Sequence, residues 1–456
     1  MPISTVYASS VATLDSHVYC GGGTDDTAAL QAVLDRAKSE GGIHLIMDGA
    51  ALVSHLEVYS NTTIECLNAD CGFFQKDDSN CAIVTNANWN ITERITRNIT
   101  LIGGTYNQNC AHQAHDVPVT EETRPFNSYG DIRGVVAIEF YGVQNVLLRD
   151  VVIVDFRTYA FMTANFLHMT LDRVWLELPG RMHAQNQDGF HFWGPGQFLT
   201  IRDCGGKVGD DIMNIGPDEG DGVSSITDVL VDGLFLDDAD QAIRILSRGK
   251  GLVDRITIRN VQGTYRSFGF YINSWFPDVT AGNFGDILIE NVNLTHTAPN
   301  YDYRPPMLFS VGGDIRCLTL KNIRHEYPID NRAIGEFGLP FYATTPDTIA
   351  DYVYPSGRKP VIQNLIIDGL TVLENEQSKD MEQLRIFGEV SNLVVKNVLS
   401  VKDKGVSRSG NVLKVYPCGH VGTAILSNIF SVGSTKVIDG EQNIDRLIQN
   451  NVISQS

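Results

Sequence analysis

Three aspartates, Asp188, Asp210 and Asp211, stand in two short stretches, "NQDGFHFWG" (186–194) and "KVGDDIMNI" (207–215), bounded by apolar and aromatic residues. Acids set close together repel one another, and the repulsion raises the pKa of one of them. That divides an acid from a base, which is the requirement of general acid–base chemistry. An aspartate in a turn also caps backbone amides, and G-D-D reads as a turn on those grounds. All three together, with an arginine and aromatics at matching spacing, favour the chemical reading.

What positions these residues is a repeat. "NITLIGGTY" at 98, "NVLLRDVVIVDF" at 145, "HMTLDRVWLEL" at 168, "FLTIRDCGGKV" at 198 and "VDRITIRNVQGTY" at 253 share one plan, as do "GDILIENVNLTH" at 285, "RCLTLKNIRHEY" at 316, "QNLIIDGLTVLEN" at 363 and "SNLVVKNVLSVKD" at 391. An alternating apolar strand is followed by Asn, Asp or Gly and then by a second apolar strand. Units recur about every 20 to 30 residues, too short to bury an apolar face alone, so they must stack on their neighbours. Such units suit a parallel β-helix, with side chains alternating between lumen and surface. Residues one coil apart then lie about 4.8 Å apart along the axis. Asp188 precedes Asp210 by one short coil, Asp211 precedes Arg244 by a longer one, and Arg244 precedes Tyr271 by another. Coils in register place all of them in one stripe.

Ahead of the repeat, Ala29, Leu30, Val33, Leu34 and Ala37 fall at helical spacing after a cap at Asp25 or Asp26, and Gly41-Gly42 ends the helix. The expected plan is one β-helix domain over 1–456. Residues 1–60 form a cap with the helix, 61–435 the coils, and 436–456 a C-terminal cap, with long loops near 107–135 and 327–360.

At the acids the chain resembles family 28 glycoside hydrolases, the polygalacturonase-like enzymes of the pectin-lyase-like class. The family's N-T-D motif matches Asn186-Gln187-Asp188, its D-D motif matches Asp210-Asp211, and its R-I-K motif is partly matched by Arg244-Ile245-Leu246. "DDTAALQ" also looks like the capping helix of β-helix carbohydrate enzymes. The resemblance implies an all-β fold, a right-handed parallel β-helix (solenoid) with an N-terminal capping helix. It also implies inverting hydrolysis of a poly- or oligosaccharide, pectin-like or uronate-containing. Asp210 would protonate the leaving oxygen while Asp188 and Asp211 activate water, across the roughly 6.5–9.5 Å that admits it. Arg244 would hold a hydroxyl or carboxylate and Tyr271 would contact a sugar. The family's G-H-G motif is absent, and Leu246 stands in place of the motif lysine, with Lys250 close by.

His183 and His191 flank Asp188 and are candidates to replace the missing histidine, although spacing in an extended strand points His191 to the opposite face from Asp188. Trp193, Trp275 and Phe276 are candidate sugar platforms or solenoid caps. "GPDEGDG" (216–222) and "DDAD" (237–240) read as solvated turns or calcium loops.

The 456-residue chain is 43% hydrophobic and carries a net charge of −19, which disfavours nucleic acid and anionic membrane as partners. No run of 18 apolar residues reads as a transmembrane helix. No signal peptide is recognisable at the N-terminus, so the chain is expected to be extracellular if a signal was removed and cytoplasmic otherwise. The eight cysteines include no C-x-x-C pair, which argues against zinc and leaves disulfides and free thiols both open. N-x-S/T sequons begin at Asn61, Asn90, Asn98 and Asn293, where Asn in a β turn is the plainer reading. The expected partner is a carbohydrate, with no cofactor and no metal; a dimer or trimer is compatible but not required. The alternatives are a β-helix polysaccharide lyase or uronate epimerase, or a glycan-binding β-helix without catalysis.

Overall fold

The computed structural model describes residues 3–90, 92–118, 132–179, 186–274, 282–297, 306–326, 333–338, 359–375, 378, 382–403, 410–434 and 436–455. His183 and Trp275, with Phe276, lie outside them, as do much of 107–135 and 327–360. The chain forms two compact units, 1–215 and 216–456.

In the first unit each coil supplies strands to parallel sheets. One sheet runs through Ser4–Tyr7, Ile43–Met47, Thr62–Cys66, Thr96–Ile102, Ile138–Arg149, Phe161–Asp172 and Gly196–Lys207. A second runs through Ala50–Val53, Gly72–Gln75, Thr105–Asn107, Val152–Val154 and Trp175–Glu177. The third carries the acids' neighbours: Leu56–Val58, Val84–Asn86, the leading halves of Ile138–Arg149 and Phe161–Asp172, Phe190–Phe192 and Met213–Ile215. Inward positions are apolar and form the lumen, where Phe140, Phe161, Phe166, Phe190 and Phe192 are fully buried. In-register pairing follows because a slip of one residue would turn every inward side chain outward.

Corners between strands need left-handed backbone, which asparagine tolerates better than other non-glycine residues. Asn61, Asn98 and Asn145 have φ of 63°, 58° and 58°. Their amides form a ladder, Asn98 donating to Asn61 at 2.6 Å and Asn145 to Asn98 at 3.0 Å. The sequon asparagines Asn61 and Asn98 are thus corner residues.

The capping helix forms as Thr27–Asp35 continued by Ala37–Glu40, ended by Gly41 at φ 79°. Leu30, Val33, Leu34 and Ala37 are buried. Asp26 sits at the N-cap position but makes no side-chain cap; its carboxylate accepts from the backbone of Thr13 and Leu14 at 2.8 and 2.9 Å. Asp25 accepts from the Thr27 N–H at 3.0 Å. Gln31 covers the first strand of the acids' sheet, accepting from Glu57 N at 2.8 Å and donating to Glu57 O at 3.2 Å. An edge strand's exposed backbone groups are thereby satisfied by one amide. Among the described residues no disulfide forms, and burial pushes the Cys66 thiol well above its usual range.

The second unit repeats the plan with longer strands. Ile226–Leu246 and Val253–Asn273 pair in parallel, followed by Phe284–His296, Ile315–Glu326, Val361–Glu374, Glu389–Lys402, His420–Val432 and Ile444–Gln455. Another sheet joins Met307–Val311, Ala333–Phe337, Leu384–Ile386, Leu413–Val415 and Ile438–Asp439. The strand Ala333–Phe337 falls inside the 327–360 interval.

This unit buries polar groups. His325 is fully buried with its Nε2 2.8 Å from the Tyr265 hydroxyl. Burial, with a smaller contribution from His296, pushes the His325 imidazole from 6.5 down to about 3. Its folded pKa lies below the unfolded one, so between those values the unfolded chain binds more protons. Stability is therefore full above pH 6.5 and is lost as pH falls toward about 3, at up to about 1.4 kcal/mol per pH unit. Urea unfolding at stepped pH should show this slope, and His325→Gln should flatten it.

Candidate functional site

Asp188 and Asp211 each precede a short strand of the first unit's third sheet by one turn residue's length. Phe190 pairs with Met213, His191 with Asn214 and Phe192 with Ile215. The backbone contacts continue into the turns: Gly189 N donates to Asp211 O at 2.7 Å, and Ala160 N to Asp188 O at 2.9 Å. Asp188 thus stacks on Asp211, while Asp210 sits level with Gln187, whose carbonyl accepts from Asp210 N at 3.2 Å. Gly189 permits the stacking, since a Cβ there would stand 2.4 Å from Ile212 O and 2.5 Å from Leu176 Cδ1.

One carboxylate oxygen from each of Asp188, Asp210 and Asp211 lies within 4.8 Å of the others. Their residue exposures are 2%, 7% and 0%, which makes Asp210 the most accessible. Asp210 Oδ2 accepts from Asn186 N at 3.0 Å. Asn186 has φ 58°, so the first residue of the N-Q-D motif turns the chain and anchors the acid of the next coil. Among the described residues Asp188 Oδ1 is buried with no hydrogen-bond partner.

His191 corrects the spacing argument. Its Nδ1 is 3.0 Å from Asp188 Oδ2, so the two residues meet instead of facing apart. The strand begins at Phe190, leaving Asp188 and Gly189 in the preceding turn, where strict alternation does not hold. Asn214 Nδ2 lies 2.9 Å from His191 Nε2. The amide donates there, so Nε2 accepts and the proton on Nδ1 points at Asp188. Tyr159 stacks on the imidazole at 4.3 Å, and Trp193 meets it edge-on at 6.0 Å. Asn214 and Tyr159 carry no sequence signature; only the pairing of the motif strands reveals them.

In the second unit Arg244 pairs with Tyr271, one coil apart as the spacing required. Both are buried, at 6% and 1% exposure, and Tyr271 stacks on Phe268 at 5.1 Å. That ring face is therefore engaged by the protein. Lys250 is exposed, in the turn after the Arg244 strand. The stretches read as turns or calcium loops have structural uses. Asp218 accepts from the backbone of Arg248 at 2.9 Å and Gly249 at 3.0 Å. Asp221 accepts from Val223 N and Ser224 N at 2.9 and 2.8 Å. Asp240 is buried against the Ser267 hydroxyl at 2.8 Å. Among the described residues only Asp188, Asp210 and Asp211 form a group of the kind that holds a metal ion.

No family model matches the chain. No curated protein matches it either. Solved structures do. The family 28 exopolygalacturonase of Yersinia enterocolitica aligns over 100% of this chain and 79% of its own, with a TM-score of 0.51 and 13% identity. The tailspike protein of the E. coli bacteriophage HK620, solved with a hexasaccharide, aligns over 94% of this chain and 75% of its own, with a TM-score of 0.54 and 10% identity. The pre-mature bacteriophage phi29 gene product 12 aligns over 99% of this chain and 56% of its own, with a TM-score of 0.60 and 14% identity. At such identities the likeness is one of fold, and the fold is the right-handed parallel β-helix.

Proposed function

We propose that the protein is a glycoside hydrolase that cleaves O-glycosidic bonds of a poly- or oligosaccharide by inverting acid–base catalysis. The observation that carries the reading is the group of buried carboxylates at Asp188, Asp210 and Asp211, with oxygens within 4.8 Å. Structural likeness to an exopolygalacturonase and to a tailspike bound to a hexasaccharide agrees with it.

Position supports the division of roles that the resemblance implies. Asp210, the most accessible, gives its proton to the glycosidic oxygen as the bond from that oxygen to the anomeric carbon breaks. Asp188 and Asp211 hold one water, which attacks the anomeric carbon from the opposite face and returns a proton to the carboxylates. The oxygen spacing is shorter than the roughly 6.5–9.5 Å usual between acid and base in inverting pairs. It does suit two acceptors sharing a single water, because two hydrogen bonds of about 2.7–2.8 Å meeting at an angle place their ends about 4.5 Å apart.

His191 is a positioning residue in this scheme. His191→Ala is expected to release Asp188 and lower kcat about 10²-fold, the cost of a displacement of about 1 Å at a reacting centre. His191→Gln, which keeps a donor toward Asp188, should recover part of the loss; steady-state kinetics checks both.

The same carboxylate spacing favours a second reading, a metal-dependent lyase or epimerase, since hard cations take clustered oxygen ligands. Digestion of a glycan panel separates the two. Hydrolysis yields new reducing ends, an unchanged rate in chelator and no unsaturated product. Ultraviolet-absorbing product or loss of activity in chelator would replace the hydrolase reading.

A further inference from the structure

We infer that Gln187, the middle residue of the N-Q-D motif, is a positioning residue for the acids: its buried side-chain amide fixes the turn from which Asp210 is held. This deepens the hydrolase reading and rests on it for the reaction that Asp210 performs.

Gln187 is fully buried, between an exposed Asn186 and a buried Asp188. A buried amide is costly unless it is hydrogen-bonded. Here the bonds run from coil to coil. Gln187 Nε2 donates to Phe156 O, in the coil before, at 3.3 Å, and lies 3.7 Å from Cys110 Sγ. The peptide unit that offers Phe156 O also offers Arg157 N, which donates to Gln108 Oε1 at 2.7 Å. Gln108 is itself fully buried and donates to Val136 O at 2.8 Å. The peptide between Phe156 and Arg157 is thus gripped from both sides by glutamine amides, one from the preceding coil and one from the following coil. Two side chains continue the backbone ladder through a turn, where strand pairing has stopped and buried peptide groups still need partners.

The next coil hangs on this grip. Gln187 O accepts from Gly209 N at 2.9 Å and from Asp210 N at 3.2 Å, and Asn186 N donates to Asp210 Oδ2 at 3.0 Å. Asp188 has other anchors: its carbonyl accepts from Ala160 N at 2.9 Å, and its carboxylate meets His191 at 3.0 Å. Asp211 O accepts from Gly189 N at 2.7 Å. Loss of the Gln187 amide therefore loosens Asp210 against a pair that keeps its own bonds. The change falls on the spacing between the acid and the carboxylates that hold the water.

The test compares Gln187→Met, which keeps the length of the side chain but donates nothing, with Gln75→Met. Gln75 is also fully buried and donates to Ser54 O at 2.8 Å and Cys81 O at 2.9 Å, three coils before Gln187. Each variant loses an amide bonded to backbone carbonyls, so both should lower the melting temperature. Turnover is followed as reducing ends released from oligogalacturonides and uncharged hexose oligosaccharides, per folded protein. Gln187→Met is expected to lower kcat about tenfold or more with KM within about twofold, because displacement of a catalytic group acts on the transition state. Gln75→Met should keep the wild-type kcat. Gln187→Glu carries the test if Gln187→Met does not fold: its carboxyl donates only when protonated, so its kcat relative to wild type should rise as pH falls. Wild-type kcat in Gln187→Met, an equal loss in Gln75→Met, or a ratio for Gln187→Glu that is flat with pH would overturn the inference. If wild type releases no reducing ends, the hydrolase reading fails and crystal structures decide the inference. Asp210 displaced from Asp188 in Gln187→Met would uphold it, and Asp210 unmoved would overturn it.

Discussion

Asp210→Asn is expected to lower kcat by about 10³-fold, within the range of roughly 10²–10⁴ that a positioned acid or base contributes. An asparagine oxygen can still accept from Asn186 N, now 3.0 Å from Asp210 Oδ2, so the local structure persists. What is lost is the transferable proton. KM should change little, because the interaction removed is made in the transition state. Thermal stability should hold or rise, since one of three mutually repelling carboxylates is gone. That pairing of outcomes separates catalysis from turn-capping. A capping aspartate would lose stability on substitution and leave the rate alone. Kinetics and calorimetry on the same preparation check both halves.

Gly189→Ala is expected to damage stability and activity together. Its Cβ would meet Ile212 O at 2.4 Å, a backbone atom that cannot swing aside. The turn carrying Asp211 must then move away from the one carrying Asp188, weakening the 2.7 Å bond from Gly189 N to Asp211 O. Overpacking of this kind costs about 1–3 kcal/mol. A shift of about 1 Å between catalytic groups costs about 10²-fold in rate. Calorimetry should show the lower melting temperature, and kcat normalised to folded protein should show the second effect. Full activity in this variant would mean that coil stacking does not set the geometry of the acids.

The solenoid was legible because its cause is periodic. Alternation such as Ile99 and Leu101 with both side chains inward, and polar corners such as Asn98 and Asn145, recur from coil to coil. Where the chain leaves the period, reading by period fails. Coil spacing sets Asp188 beside the Asp210-Asp211 pair, and only the pairing of Phe190 with Met213 shows that it lies over Asp211. His191 was turned away from Asp188 by an alternation that starts only at Phe190. Asp26 looks like a helix cap in sequence but holds the backbone of Thr13 and Leu14, a contact set by the fold of the preceding segment. Asn214 and Tyr159 were missed because their roles exist only between coils. Each is an ordinary polar or aromatic residue until stacking sets it against His191.

The anomeric configuration of the first product, followed by proton NMR during digestion of a cleaved glycan, tests the central claim most directly. Asp188 and Asp211 holding a single water against the face opposite Asp210 require inversion: the newly formed reducing end appears first as the anomer opposite to that of the bond cut, and equilibrates afterwards. Initial release of the same anomer, through a glycosyl-enzyme intermediate on one of the aspartates, would contradict the account.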